Sequence, residues 1–273
     1  MKELLQVCPA LTPLLEDAQD VAALLWQKGW AERNAGNLSV DVTGDAAAAC
    51  EAFTRQPRVE LPFAYPDLAG RLFLVTGSGR RYRDLARNAA SNSCLLQLTG
   101  DGAGFEILWG GEAGPGFQPT SEFPSHLRVH EHLRQSNAPQ HVVLHTHPTE
   151  LIALTHLPEY TDEAALQHAL WSTHPEVKVT VPKGVGLVPY TAPGTEEIAQ
   201  KTVEVFRRGL PIAVWTYHGC VAIHTSIPDA FDWIDTVNKA AAILLLCRQA
   251  GHTPAGLSRD QLDELVRLFD LEE

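Results

Sequence analysis

The sequence predicts an α/β fold in which a central, largely antiparallel β-sheet is covered by helices. Apolar runs of strand length alternate along the chain with segments of helical period. The string GDGAG at residues 100–104 joins two of the apolar runs as a hairpin turn does. Hairpins mixed with helices indicate antiparallel pairing under a helical cover. With 273 residues and 45% hydrophobic content, the chain can bury roughly three quarters of its unfolded surface. A single domain over residues 1–273 is therefore expected.

The elements follow in order. Thr12 and Pro13 cap a helix whose apolar positions Leu14, Ala18, Val21 and Leu25 recur at helical spacing and stop at Gly29. RNAGN at 33–37 is a loop, and LSVDV at 38–42 a strand with period-two alternation. Residues 46–66, rich in Ala and Pro, form an excursion. LFLVT at 72–76 is a strand, GSG at 77–79 a tight turn, and LLQLT with GFEILWG the hairpin around GDGAG. Thr120 or Ser121 opens a helix to about residue 137. VVLHTH at 142–147 is a strand, and PTELIALTHL a helix with Pro148 at its first turn. VKVTV (177–181), VGLVPY (185–190), PIAVWTYHG (211–219) and CVAIH (220–224) are further strands, with a helix over 194–209 between the second and third. Two helices, 228–250 and 258–270, finish the chain. AAILLLC at 241–247 is too short to cross a bilayer and should be a buried helix face.

Composition narrows the function. The formal net charge is -12, and no stretch concentrates Lys and Arg beyond RRYR at 80–83, which argues against a nucleic-acid partner. That run suits neutralisation of a small anionic substrate, or solvation of a surface. The five cysteines are odd in number, scattered and without a C-x-x-C pair, as suits reduced thiols in a cytosolic chain. The apolar residues from Leu14 to Leu25 are interrupted by Glu16, Asp17 and Asp20, so neither a signal peptide nor a membrane span is expected.

Three histidines stand in apolar strand contexts: His145 and His147 in VVLHTH, and His218 in AVWTYH. Side chains two apart on a strand share a face, about 6–7 Å apart at Cα, so His145 and His147 can close on one ion. Three neutral imidazoles with a vacant position suit a borderline divalent ion such as Zn²⁺, and His218 is the natural third ligand. An H-x-H alone is as compatible with hydrogen-bonded core or surface histidines, the reading given to His126, His130, His132 and the rest. Glu122 in PTSEFP is a candidate general acid-base, or a first-turn carboxylate facing the helix dipole. TGSG and the TSE helix start offer N–H groups and hydroxyls to an anion. Tyr190, Trp171 and Trp215 read as packing or rim residues.

The strings GNLS, TGSGR, GDGAGFEILWG, PTSE-P-H, H-T-H-x-T-x-LIALT, PKGVGLVPYTAPGT and WTYHG, in this order, resemble the class II aldolase and adducin-like superfamily. The resemblance covers nearly the whole chain. It is closest to the longer members, with the long N-terminal helix and the 46–66 excursion that fuculose-phosphate and ribulose-phosphate relatives lack. It implies a Zn²⁺-dependent, homotetrameric aldolase releasing dihydroxyacetone phosphate and an aldehyde from a sugar phosphate. His145, His147 and His218 fall on the family's zinc ligands and Glu122 on its catalytic glutamate. Asn34, Asn37, Ser78, Gly79, Thr120 and Ser121 fall on positions that bind the substrate's phosphate and hydroxyls. Glu176 falls on a catalytic glutamate inserted into a neighbouring subunit's site, although LWSTHPE replaces a more acidic stretch there. Thr146 stands where Cys is frequent and should face away from the metal. Enediolate chemistry on a metal needs no Schiff-base lysine, and no lysine lies in an apolar strand beside a carboxylate. A related sugar-phosphate aldolase of the fuculose-phosphate type, a pentulose-phosphate 4-epimerase with a similar zinc site, a generic metal hydrolase and a non-catalytic adducin-like module are the alternatives; the module is expected to lack the ligands that this chain keeps.

Overall fold

The computed structural model describes residues 7–111 and 116–271; the remaining ends of the expected 1–273 domain lie outside them. Nine strands form one sheet: β1 (Asn37–Asp41), β2 (Val59–Glu60), β3 (Leu72–Thr76), β4 (Ser93–Leu98), β5 (Gly104–Gly110), β6 (Val142–Thr146), β7 (Val185–Val188), β8 (Ile212–Trp215) and β9 (Gly219–His224). Their order is β2-β5-β4-β3-β1-β6-β9-β8-β7. The pairings among the described residues are antiparallel except that of β7 with β8. That exception follows from connection: a helix, Glu196–Arg207, joins the two strands, and a parallel pair requires such a crossover. The 46–66 excursion supplies the edge strand β2, which pairs with β5.

Helices cover both faces. The longer ones are α1 (Thr12–Gln27), α2 (Phe123–Gln135), α3 (Thr149–Leu154), α4 (Glu163–Thr173), α5 (Pro175–Thr180), α6 (Glu196–Arg207), α7 (Ile227–Gln249) and α8 (Arg259–Phe269). Leu38, Val40, Val142 and Leu144 turn to one face, into a core shared with α1, α3, α4 and α7. The opposite face is closed by α2 and α6, in clusters holding Phe73, Val75, Phe123 and Leu127, and Val143, Ile198 and Phe206. Alternation along β1 and β6 thus divides their residues between two cores.

Some sequence expectations change. The helix expected to open at Thr120 or Ser121 begins at Phe123, with Glu122 before it and no side-chain cap. Thr12 is the first residue of α1 rather than its cap; Leu11 precedes it at the end of a 3₁₀ turn, and no side chain caps the helix. Residues 177–180 of VKVTV belong to helix α5, and Val181 caps its end, so the segment is not a strand. Pro175 starts the helix after an extended His174, and Val177 and Val181, four apart, are buried together, so tertiary burial overrides β-branched composition. Strand β8 ends at Trp215, and residues 216–218 form the turn into β9 with Tyr217 at φ 67°, so His218 sits in a turn rather than on a strand. Finally, seven successive apolar residues in α7 span nearly two turns and cannot share one face. Ala241 and Leu244 are buried, whereas Leu246 is 63% exposed. All five cysteines are free thiols, and among the described residues no helix is long and apolar enough to cross a membrane.

Helix α2 buries two imidazoles under the sheet, His126 and His130. Burial holds them neutral, pushing His126 down to about 3 and His130 down to about 4. The unfolded chain takes up protons at these positions below about pH 6.5, while the folded chain does not until lower pH. Stability is therefore complete above that pH and falls as pH drops, by up to about 1.4 kcal/mol per pH unit for each histidine. His130→Gln should flatten the dependence of urea-unfolding free energy on pH by about that amount between roughly pH 4.5 and 6. An unchanged slope would show that His130 titrates alike in both states.

Candidate metal centre and active site

The site is assembled at one end of β1 and β6. Their register pairs Asn37 with His145, and directly opposed residues share a face, so Asn37 stands beside the first histidine. His147 lies one residue beyond β6, where its N–H donates to Trp30 O over 3.0 Å. Thr146 points the other way, as expected, donating its hydroxyl to the same carbonyl at 2.8 Å. The loop before β1 passes so close that a Cβ on Gly36 would lie 2.6 Å from the Tyr82 ring and 2.8 Å from His145 O; its φ is +77°. Only glycine fits both demands.

The three histidines converge. Ring centroids are 5.0 Å apart for His145 and His147, 5.1 Å for His145 and His218, and 4.8 Å for His147 and His218. One nitrogen from each falls within 4.8 Å of the others. His145 Nδ1 donates to Cys220 O at 2.9 Å, and His147 Nδ1 to Glu32 Oε1 at 2.8 Å. In the neutral form both Nε2 atoms are then bare, and they lie 3.3 Å apart. Two bare acceptors do not hydrogen-bond each other. The separation matches two nitrogens at about 2.05 Å from one tetrahedral ion, which stand about 3.3 Å apart. Burial pushes the pKa of His145 well below its usual value, and that of His218 down, with the neighbouring His147 adding to both shifts. Neutral imidazole is the metal-binding form. Trp215 packs on His145 and His218, with centroids at 4.6 and 5.1 Å. The donor set thus fits a divalent ion of the zinc kind, with Glu32 and Cys220 O orienting two ligands.

Glu122 is brought to this cluster from α2. It occupies the position before the first helical residue and makes no capping bond; instead Oε2 accepts from Asn37 Nδ2 at 2.6 Å and lies 3.7 Å from His145 Nε2. At the N-terminus of α2 the same carboxylate also faces the positive end of the helix dipole. Around it, two segments distant in sequence are zipped together. Gly77 bridges Pro119, Ser78 N–H donates to Gln118 O at 2.8 Å, and Thr120 N–H to Thr76 O at 2.8 Å. The turn holding exposed Ser78 and Gly79 thus lies beside Thr120 and exposed Ser121. Gly79 has φ 67°. Asn34 is exposed in the loop preceding β1. Glu176 is not brought to the histidines within this chain. It is exposed on the first turn of α5, in a cleft shared with Lys28, Asp235 and Lys239.

Residues 16–245 match the family described as class II aldolase and adducin N-terminal domain. The chain is 36% identical over 274 residues to a rhamnulose-1-phosphate aldolase of Bacteroides thetaiotaomicron, covering 99% of each protein. It is 37% identical over 250 residues to the rhamnulose-1-phosphate aldolase of Yersinia pseudotuberculosis, covering 90% of each. The chain belongs to the class II aldolase family. Its fold superposes on a sugar-phosphate aldolase from Thermotoga maritima with TM-score 0.78 at 34% identity, covering 90% of this chain and 99% of that one. An L-fuculose 1-phosphate aldolase shares the fold at TM-score 0.61 and 17% identity, covering 95% of this chain and 97% of the other. The chain is accordingly an enzyme of the aldehyde-lyase kind.

Two site residues of this class II aldolase have no sequence signature of their own. Glu32 is an ordinary loop carboxylate until the fold sets it against His147, and Ser39 an ordinary strand serine until α2 covers it. Replacing His145, His147 or His218 by Ala should abolish bound metal and nearly all activity while the fold persists, because an ion held there would sit at the edge of a core that exists without it. Metal content by mass spectrometry and a circular-dichroism melt read the two parts separately. Undiminished metal in one variant would remove that residue from the ligand set.

Proposed function

We propose that this chain is a zinc-dependent rhamnulose-1-phosphate aldolase that cleaves L-rhamnulose 1-phosphate to dihydroxyacetone phosphate and L-lactaldehyde in cytoplasmic rhamnose catabolism. It works as one domain, in a homotetramer. The observation that carries the reading is the carboxylate of Glu122 standing 3.7 Å from His145 Nε2, at the mouth of a three-histidine cluster. The name carried by relatives 36–37% identical over most of the chain supports the substrate.

The roles follow from chemistry. When bound by His145, His147 and His218, the ion supplies positive charge to the enediolate left as the carbon–carbon bond breaks. Glu122 takes up the proton that the substrate hydroxyl releases as the carbon–carbon bond breaks and delivers it to the enediolate carbon; in the condensation direction it removes that carbon-bound proton and returns it to the new hydroxyl. Gly79 and Ser121 present N–H groups, and Ser78, Thr120 and Ser121 hydroxyls, to the phosphate. Asn34 and Asn37 hold substrate hydroxyls. Glu176 acts in a neighbour's site, a role that its exposure supports.

A coupled assay for dihydroxyacetone phosphate over a panel of ketose 1-phosphates, with zinc measured on the same sample, tests the assignment. L-Rhamnulose 1-phosphate should be the preferred substrate. A product epimerised without release of aldehyde would overturn aldolase in favour of epimerase. In the same assay Glu122→Gln should keep its metal and lose turnover by roughly 10²- to 10⁴-fold. Normal solvent exchange of the dihydroxyacetone phosphate carbon-bound proton in that variant would assign the proton to another group.

The subunit boundary has a separate test. Mixing inactive Glu122→Ala chains with inactive Glu176→Ala chains should regenerate activity, each restored site taking one glutamate from each of two chains. Mixed assemblies no more active than their parents, or a fully active Glu176→Ala enzyme, would confine Glu176 to the surface.

A further inference from the structure

Asn37 and Glu122, which the proposed chemistry uses, are the near end of a chain of buried hydrogen bonds whose further members it does not use. Asn37 Oδ1 is in hydrogen-bond contact with His126 Nε2; His126 Nδ1 lies 2.7 Å from Ser39 Oγ, and the same hydroxyl lies 2.8 Å from His130 Nε2. Ser39 is 0% exposed, His126 3% and His130 2%. Asn37 and Ser39 alternate on one face of β1, and His126 and His130, four apart, share one face of α2, so strand and helix periods meet along this line.

Proton bookkeeping leaves one arrangement. A carboxylate only accepts, so Asn37 turns Nδ2 to Glu122 and Oδ1 to His126. Oδ1 only accepts, so His126 carries its hydrogen at Nε2. A buried, neutral imidazole then has a bare Nδ1, to which Ser39 donates its hydroxyl hydrogen. That hydrogen being spent, Ser39 accepts from His130 Nε2. Every donor in the chain points toward Glu122.

We propose that Ser39, His126 and His130 are positioning residues, which lock the Asn37 amide with its N–H edge on Glu122 Oε2 and so leave Oε1 as the oxygen that moves the proton. This rests on the reading of Glu122 as proton shuttle. The chain is not a proton conduit, because an amide hands a proton on only through its imidic acid. Its effect is orientation. With every hydrogen turned round, His126 Nε2 would be bare and Asn37 Oδ1 would face a carboxylate oxygen, releasing Glu122 from the contact that holds it beside His145. Ser39 is the joint. Without its hydroxyl, His126 is free to take either tautomer, and the amide follows.

The test uses zinc-loaded full-length enzyme. Selective ¹⁵N-histidine labelling of the unsubstituted protein near pH 7.5 should show His126 protonated at Nε2 and bare at Nδ1; the opposite tautomer overturns the proposal. Ser39→Ala should retain its zinc while kcat falls roughly ten- to hundredfold with little change in KM, and His126 should become a tautomer mixture. In an Asn37→Ala background the same serine substitution should cost nothing further in kcat, since it acts through that amide. Wild-type kcat in Ser39→Ala, or losses that multiply fully in the double variant, would overturn the proposal. If Ser39→Ala does not fold, the tautomer in the unsubstituted enzyme decides. Failure of the underlying reading looks different: Glu122→Gln would then turn over normally, whatever the tautomer of His126.

Discussion

The register of β1 against β6 is the constraint on which the rest depends. Pairing Asn37 with His145 and Leu38 with Leu144 sends Leu38, Val40, Val142 and Leu144 into the large core, and Asn37, Ser39 and His145 to the opposite face. A slip of one residue would turn one strand over relative to the other, burying either the amide and hydroxyl of β1 or the imidazole of β6 among aliphatic side chains. Each unpartnered group would then cost about 1–3 kcal/mol, besides the apolar burial lost. The hydrophobic residues of these strands therefore fix where the polar ones stand. Helix α2 completes the arrangement by covering the polar face and delivering Glu122 at its start.

Burial then sets the chemistry of what it encloses. An imidazole buried without an anionic partner stays neutral, and a neutral imidazole can bind a metal or relay an orientation, depending on what its two nitrogens meet. His145 has one nitrogen held by Cys220 O and the other bare toward two further imidazoles. His126 has both nitrogens engaged, by Asn37 and Ser39. The same residue type in nearly the same environment is in one case a candidate ligand and in the other a spacer. Hydrogen-bond partners decide between them, not burial.

This difference also explains what could be read from the chain alone. The H-T-H string announced itself because strand alternation is local, and Glu122 because PTSE opens a helix. The alternating β1, the GDGAG hairpin and the Gly29 stop are likewise local signals, and they stand in the structure. VKVTV misleads because its four β-branched residues and one lysine satisfy a strand pattern until Pro175 and the burial of Val177 with Val181 impose a helical one. His218 was legible as a candidate but not as a turn residue, since the left-handed Tyr217 has no glycine to mark it. Glu32 and Ser39 carry no local mark. Their partners, His147 and His126, lie far along the chain.

Antiparallel topology explains why so many scattered residues arrive at one place. Beside the start of β1 lie the ends of its neighbours β3 and β6, as the pairings of Ser39 with Val75 and Asn37 with His145 require. Beside the end of β6 lies the start of β9, since Thr146 pairs with Cys220, and there the turn from β8 carries His218. The loop after β3 holds Ser78 and Gly79, and the bridge of Gly77 to Pro119 draws Thr120 and Ser121 to them. One end of the sheet thus collects the loop before β1, the loop after β3, the residue after β6, the β8–β9 turn and the start of α2. No strand needs to bend for this. The strands are rigid and paired on both sides, so side chains at their ends are held without ordering on substrate arrival, and loops supply only the groups that grip.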